Sequence, residues 1–284
     1  MRGRLDALLA SHDAVARVDA DPVGFVHAAD PGDREVVALL AASLAFGNVV
    51  AIRRSVGRAL ERLGPGPAKT VGAASTRDLE RRFQGFVHRV WRGGDVARML
   101  ARAGRVRREH GSLGAAFGAH LAATGDLRES LARLSDSLRG PDPSRGLAHL
   151  VPDPRAGSAC KRPLLFLRWM IRRPDGVDLG LWDAPPALLV IPVDTHVQRI
   201  ARNLGLTRRR DASWRTAEEI TATLRRFDPE DPVKYDFAIC HLGVSRKCPS
   251  RRDPVLCADC VLRSACGRWA RSRKGRREAL LELP

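Results

Sequence analysis

Four of the six cysteines fall within a span of nineteen residues, and this cluster is the strongest constraint on how the chain folds. They are Cys248, Cys257, Cys260 and Cys266, in the spacing C-x8-C-x2-C-x5-C. Four thiolates that converge on one centre suit Zn²⁺ or an iron–sulfur cluster, because both prefer soft sulfur ligands. Zinc sites often use two CxxC pairs, so the single pair here favours a [4Fe–4S] cluster, with Zn²⁺ as the alternative.

The rest of the chain has helical periodicity. Apolar residues recur every three or four positions in many segments, and no segment alternates apolar and polar residues convincingly. We therefore predict an all-α fold. Helices are predicted over residues 35–46, 50–63, 79–86, 95–106, 113–123, 126–138, 163–172, 195–204, 213–227 and 233–242.

The charge balance is strongly basic, with 49 Lys+Arg against 32 Asp+Glu and a formal net charge of +17. Such a balance predicts a polyanionic partner, most commonly nucleic acid. Two basic segments, residues 247–256 and 268–277, are candidate phosphate contacts. We see no secretory signal and no apolar run of membrane-spanning length. We expect a cytoplasmic, nucleoid-associated protein whose clustered cysteines bind metal and do not form disulfides. Cys160 and Cys240 fall outside the cluster, and we interpret both as small buried apolar residues.

Two residues outside the cluster have the chemistry of an active site. Lys161 precedes Pro163, which suits the first turn of a helix, and the positive end of a helix disfavours a charged ammonium. The apolar residues that follow can desolvate the amine, and a neutral amine is a nucleophile. Asp194 stands at the start of another predicted helix, where it caps the backbone. An ordinary surface lysine and a simple helix cap are the alternative interpretations.

The segment Val193-Asp-Thr-His-Val-Gln-Arg199 resembles the VDTH-x-x-R segment of the helix-hairpin-helix (HhH-GPD) DNA glycosylases, in particular those similar to endonuclease III. Cys240-His-Leu-Gly243, followed by the cysteine cluster, resembles the helix that precedes the [4Fe–4S] loop of these enzymes. The lysine and the aspartate are 194 − 161 = 33 positions apart, which resembles the archaeal 8-oxoguanine glycosylase branch. Residues 161–182, 192–199 and 228–236 together also resemble a bacterial group of proteins near that branch.

The chain also departs from the family's pattern at two places. The first cysteine interval has eight residues, two more than the C-x6-C-x2-C-x5-C of the family. The family's hairpin reads L-P-G-V-G, whereas this chain has Leu150-Val-Pro-Asp-Pro-Arg-Ala-Gly before Ser158. The first departure concerns the geometry of the cluster and the second that of the phosphate-binding turn.

The resemblance implies two packed helical subdomains with a cleft between them, one formed by residues 1–30 and 148–284 and the other by residues 31–147. It implies a helix-hairpin-helix element at 145–172 and an iron–sulfur loop at 238–268. The implied activity is that of a DNA glycosylase and AP lyase, a monomer that flips a damaged base out of double-stranded DNA. An oxidised purine such as 8-oxoguanine is the expected base. Lys161 would attack the sugar C1′, and Asp194 would stabilise the oxocarbenium-like sugar.

Further contacts follow from the same resemblance. Phe46 and Asn48 fall where related enzymes place the residue that fills the vacated base stack. The predicted DNA contacts are Phe46, Asn48, Gly157, Ser158, Arg162, Arg251 and Arg252. The residues predicted to surround the extruded base are Trp169, Trp182 and His196.

Three alternatives to a repair glycosylase stay open. The first is a non-catalytic DNA-binding module that keeps the fold and the cluster, although the presence of both Lys161 and Asp194 speaks against it. The second is a zinc-knuckle adaptor for nucleic acid. The third is a glycosylase for a modified base of foreign DNA.

Overall fold

The computed structural model describes residues 1–244 and 248–269, and across these residues the chain is almost entirely helical. The predicted all-α class is therefore confirmed. The helices are α1 (Arg2–Ala10), α2 (Gly24–His27), α3 (Arg34–Ser43), α4 (Val49–Leu63), α5 (Pro67–Ala73), α6 (Thr76–Arg82), α7 (Gly93–His110), α8 (Leu113–Thr124), α9 (Leu127–Arg139), α10 (Arg145–Leu150), α11 (Lys161–Ile171), α12 (Thr195–Leu204), α13 (Trp214–Arg225) and α14 (Asp236–Val244). Short 3-10 turns cover Val15–Ala20, Pro154–Ala156 and Pro186–Leu188.

A small antiparallel ribbon is the main departure from the predicted secondary structure. Strands β1 (Val87–His88) and β2 (Trp91–Arg92) pair with Val87 opposite Arg92. Periodicity does not reveal these strands, because two residues cannot show an alternating pattern.

The predicted helices all overlap helices of the structure, and the largest displacement is at α6. The predicted span 79–86 starts late, because Ser75 and Asp78 form a capping box that begins the helix at Thr76. The sequence pattern does not predict α1, α2, α5 or α10. Each of these has nine residues or fewer, which is too short for helical periodicity to stand out.

Helix α3 lies at the centre of the core, because it is apolar on all sides. Every residue from Val36 to Ser43 is buried, as expected for a helix without a polar face. The helix contacts α2, α4, α5, α7 and α11. Burial of one leucine side chain stabilises a fold by about 1.5–3 kcal/mol, so this packing holds α3 firmly in place. The turn that follows α3 is thereby fixed relative to α11.

Helix α7 is the longest helix of the described residues, with 18 residues, and it packs on α5, α6, α8 and α9. Its close approach to α5 depends on Gly104. A Cβ atom at this position would lie 2.2 Å from the carbonyl oxygen of Val71, so any side chain would push the two helices apart. Across residues 1–244 and 248–269, we find no helix with the length and apolarity needed to cross a membrane.

The second half of the chain packs against the first through α11, which lies on α3. Helix α12 packs on α14, and α1 also contacts α14. The approach of α14 to the start of α12 requires a small residue, because a Cβ atom at Gly243 would lie 2.6 Å from the Cβ atom of His196. As a result, the turn after α3, the starts of α11 and α12 and one face of α14 converge.

Candidate active site

A cavity of about 310 Å³ lies where these elements converge. Helix α11 contributes Lys161, Leu165 and Arg168 to the lining of this cavity. These residues follow the i, i+4, i+7 spacing of one helix face. Helix α14 likewise presents residues one turn apart. The remaining lining residues are Asp21, Pro22, Ala45, Gly47, Asn48, Val49, Ile52, Pro192, Asp194, His196, Asp236, Phe237, Cys240, His241 and Val244.

Lys161 is the first residue of α11 and is partly buried at the cavity wall. Its Nζ donates a hydrogen bond to the carbonyl oxygen of Ala45, 3.3 Å away, in the turn after α3. The residue before it, Cys160, has a φ of 46°, in the left-handed region that non-glycine residues rarely adopt. None of the ion pairs among the described residues includes Lys161. The amine is therefore oriented by a neutral carbonyl and its position is set by a strained backbone turn.

Asp194 caps α12, as the sequence predicts. Its Oδ1 accepts hydrogen bonds from the backbone N–H groups of His196 and Val197, each at 2.8 Å. These two bonds fix the carboxylate against the positive end of the helix. Its other oxygen, Oδ2, lies 3.7 Å from the Sγ atom of Cys240. Lys161 and Asp194 are thus far apart in the chain but line the same cavity.

A second carboxylate, that of Asp236, lies in the same lining and belongs to a buried ion pair. Arg168 donates to Asp236 and also to Asp178, the latter at 3.0 Å, and all three side chains are almost fully buried. Burial raises the pKa of Asp236 to about 6, with Asp194 adding to the rise and Arg168 opposing it. The cavity therefore holds two carboxyl groups in different environments, one exposed to the cavity as a helix cap and one paired within the core.

The raised pKa of Asp236 predicts a pH-dependent contribution to stability. Because the folded-state pKa, about 6, lies above the ordinary value of 3.8, the folded protein binds more protons than the unfolded chain between these values. Stability relative to an Asp236→Asn variant should therefore fall as pH rises from about 4 to about 6, by at most about 1.4 kcal/mol per pH unit. Urea unfolding of both proteins across this range measures the difference, and a difference that stays constant with pH would contradict the assignment.

Of the three residues predicted to surround an extruded base, only His196 lines the cavity. Its Nδ1 lies 3.2 Å from a guanidinium nitrogen of Arg199. Trp169 is only 1% exposed and belongs to the core, so the prediction for it is wrong. Trp182 is also misassigned: it packs on Phe117 and Phe166, away from the cavity.

The prediction that Arg162 contacts DNA is wrong. Its side chain is 9% exposed, and its guanidinium donates to the carbonyl oxygens of Ser43, Leu150 and His149. Burial lowers the pKa of Arg162 to about 10. The residue therefore ties α3, α10 and α11 together inside the protein and is not accessible to a phosphate.

The other predicted DNA contacts remain accessible. Phe46 is 42% exposed beside the cavity, and Asn48 lines the cavity and caps α4 through a 2.8 Å bond from the backbone N–H of Ala51. Ser158 is exposed, and Gly157 adopts the left-handed conformation that ends the 3-10 turn before it. The predicted contacts on the C-terminal side, Arg251 and Arg252, are exposed too. Residues 270–277 of the predicted basic tail and Lys247 lie outside the described residues.

The four clustered cysteines are partly buried free thiols. Burial raises the pKa of the Cys248 thiol, and the positive charge of Arg199 opposes this rise. Within residues 1–244 and 248–269, no group of three or more His, Cys, Asp or Glu side chains has the arrangement of a metal site. The donor set suits a soft metal centre by its chemistry, although the sulfurs do not form a closed ligand shell.

Several cavity residues were not predicted as site residues, and among them are Cys240, Asp236 and Arg168. The sequence interpretation treats Cys240 as a small buried apolar residue, whereas its thiol contacts Asp194. Asp236 also lines the cavity, and its ion pair with Arg168 gives it a structural role as well. The available signal was helical spacing, since Asp236 and Cys240 are four positions apart on one face of α14.

The protein is thus mostly helical, and a lysine and a helix-capping aspartate line one pocket. Residues 21–245 match the model of a family described as "Protein of unknown function (DUF2400)". Because this match spans most of the chain, the protein belongs to that family. No curated protein and no solved structure matches the chain.

Proposed function

We propose that this protein is a DNA glycosylase with AP lyase activity, which removes a damaged or modified base from double-stranded DNA. One observation carries the proposal: Lys161 and Asp194 line the same cavity although they lie 194 − 161 = 33 positions apart. An amine and a fixed carboxylate that face one pocket are the two groups that base release followed by Schiff-base formation requires. The volume of about 310 Å³ is at the lower end of the usual range for small-molecule sites.

Asp194 acts first in the proposed reaction. When the bond between C1′ and the base nitrogen breaks, the electron pair leaves with the base and positive charge develops on C1′ and the ring oxygen. A carboxylate whose direction is fixed by two backbone N–H groups stabilises this charge without reorganising. Asp194 therefore lowers the barrier to base departure and forms no bond itself.

Lys161 then forms the covalent intermediate. The amine, in its unprotonated form, donates an electron pair to C1′ and then loses one proton. The C1′–O4′ bond then breaks, O4′ takes up a proton, and the nitrogen lone pair forms the C=N bond of a protonated Schiff base. Loss of a C2′ proton and departure of the 3′ phosphate break the strand and complete the lyase step. The carbonyl oxygen of Ala45 holds the amine at the cavity wall before the attack.

The proposed division into subdomains explains how the cavity is built. Ala45 and Asn48 come from residues 31–147, whereas Lys161 and Asp194 come from residues 148–284. The proposed cleft between the two units thus coincides with this cavity. The short helix α10, the 3-10 turn at Pro154–Ala156 and helix α11 would form the helix-hairpin-helix element, in which backbone N–H groups near Gly157 contact phosphate.

Several features support DNA as the partner. The net charge of +17 favours a polyanion. Phe46 is 42% exposed and stands in the chain between Ala45 and Gly47, which line the cavity, and its ring contacts that of Trp91. It is the proposed residue for filling the space of an extruded base. Among modified bases, an oxidised purine such as 8-oxoguanine is the first candidate, and a modified base of foreign DNA is the second. The proposed site of action is the nucleoid.

The cysteine cluster would hold the proposed metal centre through Cys248, Cys257, Cys260 and Cys266. A bound [4Fe–4S] cluster would supply cross-links that rigidify the loop carrying Arg251 and Arg252. Arg252 lies over the ring of Trp269, with its Cζ atom 4.0 Å from the ring centroid, so the loop already packs on the segment that ends the described residues. Iron, sulfide and zinc determination on the purified protein distinguishes the cluster from Zn²⁺.

The proposal is tested by incubating the purified protein with duplexes that each carry one modified base, among them 8-oxoguanine. Release of a free base and cleavage of the strand at that position support the proposal, and unmodified duplex of the same sequence is the control. DNA binding without release from any duplex would contradict it and would favour the non-catalytic DNA-binding module.

A further inference from the structure

The thiol of Cys240 is the only hydrogen-bond partner that the described residues offer to the outward oxygen of Asp194. Oδ1 of Asp194 is occupied by two backbone N–H groups, at 2.8 Å each. Oδ2 is the oxygen left for chemistry, and the Sγ atom of Cys240 lies 3.7 Å from it. Both residues line the cavity, so this contact lies at the site itself.

The proton of this contact resides on sulfur. Burial raises the pKa of the Cys240 thiol well above its ordinary value, and the negative charges of Asp194 and Asp236 raise it further, while Lys161 opposes them. Cys240 is therefore a neutral S–H group that donates to Oδ2. Asp194, Asp236 and Lys161 line the same cavity as Cys240, so the thiol lies among the charged groups of the site.

We propose that Cys240 is a positioning residue, which holds the Asp194 carboxylate in the orientation needed for base release; this inference rests on the proposed glycosylase function. The helix cap fixes one oxygen and the thiol fixes the other, so that the carboxylate cannot rotate about its terminal bond. A thiol suits this task because it is a weak donor. An ammonium or guanidinium at the same place would offset the negative charge that must stabilise the sugar.

Ser130 offers a matched comparison within the same chain. It is a fully buried small polar residue of α9, and its hydroxyl donates to the carbonyl oxygen of Asp126, 2.6 Å away. Because Ser130 does not line the cavity, Ser130→Ala controls for the general effect of removing a buried donor.

The kinetic test compares Cys240→Ala, Cys240→Ser and Ser130→Ala with the wild type on a duplex that the wild type cleaves. We expect Cys240→Ala to lower kcat for base release roughly tenfold, equivalent to about 1.4 kcal/mol, with KM unchanged. Cys240→Ser keeps a donor and should retain most of the kcat, and Ser130→Ala should match the wild type. Equal kcat for Cys240→Ala and the wild type, or equal loss in the alanine and serine variants, would overturn the inference.

A second measurement does not depend on activity. The infrared S–H stretch of Cys240 is isolated as the difference between the wild type and Cys240→Ala, and it is compared in an Asp194→Asn background. The asparagine amide presents a donor where Oδ2 accepts, so the band should shift to the frequency of a free thiol. An unshifted band would overturn the inference. If no duplex loses a base, the proposed function fails while the infrared result still decides the contact.

Discussion

Lys161→Met should abolish the covalent complex that borohydride traps between this protein and DNA with an abasic site. The yield should fall by a factor on the order of a thousand or more, because the variant lacks the amine that forms the Schiff base. Lys161→Arg should fail equally, although it keeps the positive charge, because a guanidinium stays protonated and is not a nucleophile. The yield is read as the fraction of labelled duplex that remains attached to protein in a denaturing gel.

Lys69→Met is the matched control for this experiment. Lys69 lies exposed on α5 and is not part of the cavity lining, so its loss should leave trapping unchanged. Binding of uncleaved duplex, measured separately, corrects for any loss of affinity. Trapping by Lys161→Met at the level of the wild type would remove the lysine from the reaction.

Asp194→Asn should lower the rate of base release by a factor on the order of a hundred to a thousand, because it removes the charge that stabilises the developing cation. The variant keeps the helix cap, since the asparagine Oδ1 can accept from the backbone N–H groups of His196 and Val197 as the aspartate does. Borohydride trapping on preformed abasic DNA should be much less affected, because no base has to leave there. Base release and trapping are therefore measured on separate duplexes.

Asp126→Asn is the control for the capping role. Asp126 caps α9 through a 2.7 Å bond from the backbone N–H of Glu129 and is exposed outside the cavity. The Asp126→Asn substitution should therefore leave the rate of base release unchanged. If Asp194→Asn retained the wild-type rate, Asp194 would be a helix cap alone.

Asp194 and Lys161 could be predicted as site residues from local sequence signals. Asp194 precedes a clear helical pattern, and capping is a short-range property, so the sequence predicts it and the structure confirms it. Lys161 was predictable for a similar reason, because Pro163 indicates the first turn of α11. Neither signal indicates that the two helix starts face one another, which depends on how α11 and α12 pack.

The wrong predictions for Arg162 and Trp169, both on α11, have a common physical cause. Lys161, Leu165 and Arg168 form the face of α11 that lines the cavity, whereas Arg162 and Trp169 are seven positions apart on a neighbouring face that is buried. Trp169 was predicted beside the extruded base and Arg162 as a DNA contact, but both side chains lie on this neighbouring face and are buried in the core. Helical spacing around Lys161 would have favoured Arg168 over Trp169.

Cys240 and Asp236 could not be predicted from local sequence. Their roles arise from contacts with Asp194 and Arg168, which are 46 and 68 positions away in the chain. Such contacts form only when α14 packs against α12 and α11, and composition offers no measure of that packing. A buried cysteine is most often a small apolar residue, so the sequence favours that interpretation until its neighbours are known.

The central claim is that the amine of Lys161 reaches the sugar of a nucleotide held in this cavity. The most direct test is mass spectrometry of the borohydride-trapped complex after digestion of its protein and DNA. We predict that the DNA remnant is attached to the peptide that contains Lys161. A remnant on another lysine or on the N-terminal amine, or the absence of any trapped complex with abasic duplex, would contradict the account.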